Sequence, residues 1–149
     1  MTLDRKAVLG QIGEKIVSNY YSRAGKVVEH SIDPFDSHKD LLVEGERVEV
    51  KTQTRYYTKD CFTLKMNQLK KCMDGFYIVE CPTSASPESS LYKVDKGFRY
   101  STGLMNNGDV RYEIKRLQPA VKKLTDIEGK EKMLLRKYST NYVRTKRLP

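Results

Sequence analysis

The sequence is poor in the residues from which disulfide frameworks and zinc sites are built. Its three cysteines, Cys61, Cys72 and Cys81, are odd in number, widely spaced and without a Cys-x-x-Cys pair. This pattern suggests neither a disulfide framework nor a zinc site, and we expect reduced, partly buried thiols. His30 and His38 are also too few and too scattered for a structural zinc site, although His38 is close enough to Asp40 in sequence for a substrate contact.

Long apolar segments are missing as well. No apolar run approaches the length of a membrane-spanning helix, and the amino terminus lacks the apolar core of a signal peptide. A chain of 149 residues is large enough for one hydrophobic core and too small for two substantial ones. We therefore expect a single intracellular, cytoplasmic domain with no membrane partner.

Positive charge is in excess. The chain has 28 Lys and Arg against 19 Asp and Glu, a formal net charge of +9. Such a balance favours polyanionic partners, and nucleic acid first among them. Residues 130–149 alone hold seven Lys or Arg and the single acid Glu131. This end of the chain is typical of either a solvated terminus or an arm that binds phosphates.

The segment from Asp40 to Gln53 has the pattern of a β-hairpin. Its centre, Glu44-Gly45, is close to the Asp-Gly signal of a two-residue turn that requires positive φ. A two-residue loop predicts these opposed pairs: Val43 with Glu46, Leu42 with Arg47, Leu41 with Val48, and Asp40 with Glu49. A three-residue loop would instead send Glu49 to the face opposite Asp40.

The two-residue register would place chemistry-bearing side chains on one face. Asp40 and Glu49 would face each other, with Lys51 on the same side. Opposed carboxylates are destabilising unless a cation lies between them, and oxygen ligands suit Mg²⁺. A neighbouring lysine supplies positive charge for an anionic substrate or a metal-bound water. The pattern favours a site that cleaves phosphodiesters; the alternative is a solvated hairpin face with ordinary exposed charges.

Asp40, eight intervening residues and then Glu49-Val50-Lys51 resemble the motif of the PD-(D/E)XK nucleases. The resemblance implies that Asp40 and Glu49 hold the metal and that Lys51 positions or activates the attacking water. It also implies Mg²⁺, with Mn²⁺ able to substitute, no small-molecule cofactor, and DNA as the substrate.

The motif departs from the family upstream of the hairpin. The family's proline usually lies beside its aspartate, whereas Pro34 follows Asp33 and precedes Asp40 by six residues. Asp33 and Asp36 therefore remain rivals for the role of Asp40.

An amphipathic helix is predicted before the hairpin, from Leu3 to Tyr21, and Gly25 would end it. Glycines cost a helix about 1 kcal/mol each relative to alanine, so Gly10 and Gly13 indicate close packing or a close partner. The apolar stripe consists of Val8, Ile12, Ile16 and Tyr20. Glu14 lies off this stripe. The family resemblance implies that Glu14 also reaches the metal; the alternative is a solvent-facing glutamate.

Residues after the hairpin could hold nucleic acid. The segment 54–59 mixes cations with aromatic rings, a composition that holds phosphates and stacks on bases, or else forms a twisted strand end with solvated tips. The family resemblance places a glutamine or lysine of the next helix near the site, which implies a supporting role for Gln68; the alternative is an exposed helical glutamine. The candidate nucleic-acid contacts are Arg55, Tyr56, Tyr57, Lys59, Lys65, Arg144, Lys146 and Arg147.

Further elements follow from local patterns. Strands are predicted at 26–32, 62–64 and 76–81, the last buried on both faces, and a helix with Met66, Leu69, Cys72 and Met73 on one face. Residues 83–90 read as a loop, and 99–104 with 110–114 as a second hairpin that extends the sheet. Two short helices are predicted near the end, one opened by Pro119 with Val121 and Leu124 inward, and one over Glu131–Tyr138.

Together these patterns predict an α/β fold with a central mixed β-sheet flanked by helices. The resemblance implies a restriction-endonuclease-like core over 1–82. It stops near Cys81, and the local patterns beyond it predict a C-terminal extension over 91–140 with the second hairpin and short helices, and a basic tail over 141–149. The leading function is a Mg²⁺-dependent DNA endonuclease, site-specific or homing-type, acting as a homodimer or higher homo-oligomer. A Holliday-junction resolvase or a nicking repair nuclease is the alternative within the family. A non-catalytic nucleic-acid-binding module with a nuclease-like fold and an RNA-binding accessory protein are the alternatives outside it.

Overall fold

The computed structural model describes residues 5–30, 41–54, 60–104 and 107–139. None of the helices in these ranges combines the length and the apolar character that crossing a bilayer requires. In chain order the elements are α1 (Arg5–Arg23), β1 (Val28–His30), β2 (Leu41–Val43), β3 (Glu46–Val48), β4 (Val50–Thr54), β5 (Cys61–Lys65), α2 (Met66–Cys72), β6 (Gly75–Cys81), β7 (Ser90–Asp95), β8 (Ser101–Leu104), β9 (Val110–Lys115), β10 (Val121–Asp126) and α3 (Gly129–Tyr138).

The central sheet is mixed, as the sequence predicts for an α/β fold. Its strand order is β10-β7-β6-β4, with β4 parallel to β6 and the other neighbours antiparallel. Two three-stranded antiparallel sheets accompany it, β1-β2-β3 and β5-β9-β8. Within the described residues β4 forms one edge of the central sheet, which places the motif strand beside open space.

Two apolar clusters hold the layers together, one on each face of the central sheet. On one face, Tyr77, Val79 and Cys81 of β6 pack with residues of α1 and α3. On the other, Phe76 and Ile78 pack with β5, β9 and the buried side of α2. The alternation along β6 explains its nearly unbroken apolar sequence, because a central strand buried on both faces needs no polar positions.

Helix α1 ends as its glycine indicates. Gly25 has φ of 81°, and its N–H donates to the Ser22 carbonyl at 3.0 Å. The N–H of Lys26 donates to the Tyr21 carbonyl at 2.9 Å, which completes a Schellman motif. The buried row of α1 is centred on Leu9, Gly13 and Val17, so it is rotated by one residue from the predicted stripe. That row includes Gly13 because the helix touches the sheet there.

The hairpin formed by β2 and β3, here called the motif hairpin, has the predicted turn and register. Glu44 and Gly45 both have positive φ, 51° and 80°, as a type I′ turn requires. Leu41 pairs with Val48, Leu42 with Arg47 and Val43 with Glu46. A three-residue loop is thereby excluded.

The second hairpin forms but does not extend the central sheet. Leu104 pairs with Val110, as expected for the antiparallel strands β8 and β9. However, β9 pairs with β5 in a separate sheet. The hairpin pattern specifies local pairing, whereas the choice of neighbouring sheet depends on which apolar faces meet, and this is a tertiary matter.

The predicted helix after Pro119 is wrong, because residues 121–126 form strand β10. Val121 and Leu124 suggested one helical face, yet they pack against opposite faces of the central sheet. Strand β7, which the sequence analysis did not predict, provides the pairing edge for β10.

The final helix, α3, is confirmed and begins at Gly129. In the α2 pattern Cys72 is buried and Leu69 partly so, but Met66 and Met73 are exposed, so the predicted apolar face is narrower.

Candidate active site

A polar cleft of about 550 Å³ lies at the β4 edge of the central sheet, between α1 and α2. Its lining comes from four parts of the chain: one side of α1, Leu41 of β2, the β3–β4 junction with the start of β4, and α2. The described lining residues are Lys6, Ala7, Gly10, Gln11, Glu14, Leu41, Val48, Glu49, Val50, Lys51, Asn67, Gln68, Lys71 and Cys72.

Four of the five side chains predicted as catalytic line this one cleft: Glu14, Glu49, Lys51 and Gln68. The fifth, Asp40, lies outside the described residues, as do its rivals Asp33 and Asp36. The residue after Asp40, Leu41, is described and lines the cleft. The pairing of Asp40 with Glu49 therefore stays a prediction, although the three pairs that lead up to it have the predicted register.

Glu49 is anchored at the junction between β3 and β4. Its carbonyl accepts a hydrogen bond from the Tyr77 N–H at 2.8 Å, which ties the junction to β6. Its carboxylate Oε1 lies 3.0 Å from Nη2 of Arg47, two residues earlier on the same face of the chain. The Glu49 side chain remains 23% exposed, so its carboxylate is held near the cleft but is not sealed from solvent.

Lys51 is partly buried in the same cleft. Burial lowers the pKa of its ammonium group below the usual value, while the nearby charge of Glu49 acts in the opposite direction. Burial also raises the pKa of the neighbouring Cys72 thiol to about 11, and the charge of Glu49 adds to that rise. Cys72 is therefore a neutral, buried wall beside Lys51 at physiological pH.

The two glycines of α1 have different roles beside the cleft. A Cβ at Gly13 would collide with the hydroxyl of Thr52 in β4, so this glycine lets the helix pack closely on the sheet. A Cβ at Gly10 would meet nothing within 4 Å, since Gly10 lines the open cleft. Close packing at Gly13 thus positions the next residue, Glu14, near β4.

Gln68 has a structural partner as well as a place in the cleft. Its Oε1 accepts a hydrogen bond from the Lys65 N–H at 3.0 Å, as in the capping box of α2. The capping bond holds the Gln68 side chain at the amino terminus of α2. Lys65 is exposed at that position, and its charge is near enough to help lower the pKa of Lys51.

Several lining residues were missed by the sequence analysis, among them Lys6, Gln11, Asn67 and Lys71. Helical spacing contained a signal for two of them. Lys6 precedes Glu14 by eight residues, and Lys71 follows Gln68 by three, so each shares a helix face with a predicted site residue. Of the predicted nucleic-acid contacts, only Lys65 is described; Arg55, Tyr56, Tyr57, Lys59, Arg144, Lys146 and Arg147 lie outside the described residues.

The described donors fit a hard divalent cation in kind. Glu14 and Glu49 both offer carboxylate oxygens to the cleft, the ligand type that Mg²⁺ prefers. Within the described ranges there is no group of three or more His, Cys, Asp or Glu that could hold a metal ion. Asp40, the third predicted ligand, lies outside those ranges.

All three cysteines are free and buried, which confirms the prediction of unpaired thiols.

By sequence and by fold, the chain matches no protein-family model, no curated protein and no solved structure.

Proposed function

We propose that the protein is a Mg²⁺-dependent endonuclease that hydrolyses phosphodiester bonds of DNA in the cleft at the β4 edge. The observation that carries this proposal is the convergence of Glu14, Glu49, Lys51 and Gln68 on one cleft from three separate elements. A solvated hairpin face would give no reason for α1 and α2 to contribute to the same cavity.

The charges around the cleft suit a phosphate ester. Lys6 and Lys71 line it from the two helices and Lys51 from the strand, so an anionic backbone would meet cations from three sides. The chain's net charge of +9 supports the same class of partner.

Each site residue has a role that its environment supports. Glu14 and Glu49, with Asp40 as the predicted third carboxylate, would hold the cation, which would position the attacking water and neutralise charge on the phosphate. The Lys51 ammonium would orient the water or a phosphate oxygen, because Lys51 lies on β4 and lines the same cleft as Glu49. Gln68, fixed by its bond to the Lys65 N–H, would offer its amide to the substrate.

A non-catalytic nucleic-acid-binding module is the second candidate. Two observations favour it: the Glu49 carboxylate is paired with Arg47, and the Gln68 amide oxygen is used in helix capping. Both side chains could therefore be retained for structure alone.

The test is incubation of the purified protein with supercoiled, linear and four-way-junction DNA, in Mg²⁺, in Mn²⁺ or in a chelator. We expect cleavage in either cation and none in the chelator. Nicked or linear products from supercoiled DNA would indicate a duplex cutter, whereas cleavage confined to the junction would indicate a resolvase. Binding to all three substrates without cleavage in either cation would overturn the enzymatic proposal in favour of the binding module.

A further inference from the structure

Arg47 holds a carboxylate oxygen that the proposed cation would need. Its Nη2 lies 3.0 Å from Oε1 of Glu49. Arg47 is not among the described residues that line the cleft, so its guanidinium reaches Glu49 from outside. The hairpin explains the geometry: the two residues are separated by one position along an extended chain and therefore share a face.

We propose that Arg47 exchanges partners during binding: it pairs with Glu49 in the cation-free protein and contacts a phosphate of the nucleic acid once Glu49 binds the cation. This inference rests on the proposed function. It assigns a role to a residue that neither the motif nor the cleft lining includes. The ligand class is a phosphodiester oxygen, for which the planar guanidinium is as well suited as it is for a carboxylate.

The exposure of the pair makes such an exchange inexpensive. The Arg47 side chain is 53% exposed and that of Glu49 is 23% exposed, so solvent screens their attraction. The backbone beneath them need not move. Arg47 lies in β3, whose register is set by the type I′ turn and by pairing with Leu42, so only the side chain has to turn.

Arg47 differs from the other cations at the site in its exposure and in its bond to Glu49. Lys51 is partly buried in the cleft, where desolvation lowers its pKa, whereas the Arg47 side chain is 53% exposed. Lys6 and Lys71 line the cleft itself, whereas Arg47 is not among the described lining residues. Arg47 is bonded to the Glu49 carboxylate itself, so a contact between Arg47 and a phosphate should depend on what Glu49 is bound to.

The first test measures cation binding directly, by titration calorimetry with Mg²⁺ in the absence of DNA. Arg47→Gln should tighten Mg²⁺ binding by about two- to fivefold, because an exposed ion pair no longer competes for Glu49. Arg47→Lys keeps the charge and should stay close to the wild type. In a Glu49→Gln background the same Arg47→Gln change should have no effect, which makes the comparison a double-mutant cycle.

The second test measures binding of a fluorescent DNA duplex in Ca²⁺, to limit cleavage, and in chelator. Arg47→Gln should weaken binding in Ca²⁺ only, and there it should reduce the slope of the salt dependence by about one phosphate contact. In chelator the variant should match the wild type. Equal weakening in both conditions would show that Arg47 is an ordinary surface cation and would overturn the exchange.

The two levels of the proposal can fail separately. If the wild-type protein shows no Mg²⁺ binding and cuts no DNA, the proposed function is refuted and the exchange with it. If the wild type binds Mg²⁺ and cuts DNA but Arg47→Gln leaves Mg²⁺ affinity unchanged, only the exchange is refuted.

Discussion

Two partly buried groups of charge lie on the central sheet, and they are built in opposite ways. In the first, the Arg116 guanidinium is flanked by the rings of Phe62 and Tyr92, with its Cζ 4.6 and 5.1 Å from their centroids. It hydrogen-bonds both carboxylate oxygens of Glu80 and donates from Nε to Asp60 at 2.7 Å. Burial opposes its charge, but the bonds to Glu80 outweigh that cost and hold the pKa of Arg116 above its usual range.

The second group is the cleft, where compensation is incomplete. Burial outweighs the attraction of nearby charges at Lys51 and lowers its pKa, and the Glu49 carboxylate pairs with the exposed Arg47. The Arg116 group has the form of a structural network, in which a buried cation has carboxylate and aromatic partners on several sides. At Lys51, by contrast, desolvation outweighs the attraction of nearby charges beside an open cleft, and shifted pKa values of this kind are common at functional sites. This difference predicts that mutations in the two regions separate activity from stability.

The largest expected effect is the loss of cleavage in Glu49→Gln. The substitution removes ligand charge without changing size, so DNA cleavage in Mg²⁺ should fall by about a thousandfold or more. Thermal unfolding should change little because the side chain is near solvent. The matched control is Glu46→Gln, an exposed glutamate of the same hairpin. Turnover equal to the wild type in Glu49→Gln would remove Glu49 from the site.

Glu80→Gln should give the opposite result. It leaves the Arg116 guanidinium without its main counter-charge, and removal of one partner of a buried ion pair costs about 3 kcal/mol of unfolding free energy. Urea denaturation measures this loss, with the exposed Glu88→Gln as control. Cleavage per folded molecule should be unchanged. An equally stable Glu80→Gln would mean that the network contributes no stability and that the contrast with the cleft is false.

A smaller effect is expected at the two glycines of α1, because Gly13 is in close contact with β4 whereas Gly10 lies beside the open cleft. Gly13→Ala should destabilise the protein by about 1–3 kcal/mol, because the new methyl collides with Thr52. Gly10→Ala should stabilise it by about 1 kcal/mol, because the cleft side leaves room and alanine favours the helix. Chemical denaturation of both variants checks the difference. Equal effects at the two positions would contradict the close contact between α1 and β4.

The smallest effect concerns Lys51 and pH. Its folded pKa is lowered, so between that value and the unfolded value of 10.5 the unfolded state binds more protons. Lys51 thus contributes an increase in stability as pH rises through this window. Lys51→Met should be more stable than the wild type at neutral pH, and the gap should narrow as the pH becomes alkaline. Unfolding midpoints of the two proteins across pH 7 to about 10.5 test this; a gap that is constant with pH would contradict the lowered pKa.

Local patterns predicted the elements whose signals were self-contained. The end of α1 at Gly25, the Glu44-Gly45 turn and the apolar run of β6 all appear where the sequence indicates them. The predictions were wrong where pairing with a distant strand decides the structure of a segment. Val121 and Leu124 are spaced like a helical face, yet β7 supplies an edge on which the same residues form a strand.

The sequence by itself predicted the two-residue turn at Glu44-Gly45, and such a turn with positive φ permits one pairing of its strands, which the structure has. The structure excluded the three-residue alternative. The sequence could not determine that Lys6 and Lys71 share the cleft with Glu49. Helical periodicity places each lysine on a face of its own helix, but only the packing of α1 and α2 at the β4 edge brings those faces together. The lowered pKa of Lys51 has the same origin, since desolvation depends on which layers cover a side chain and not on its neighbours in sequence.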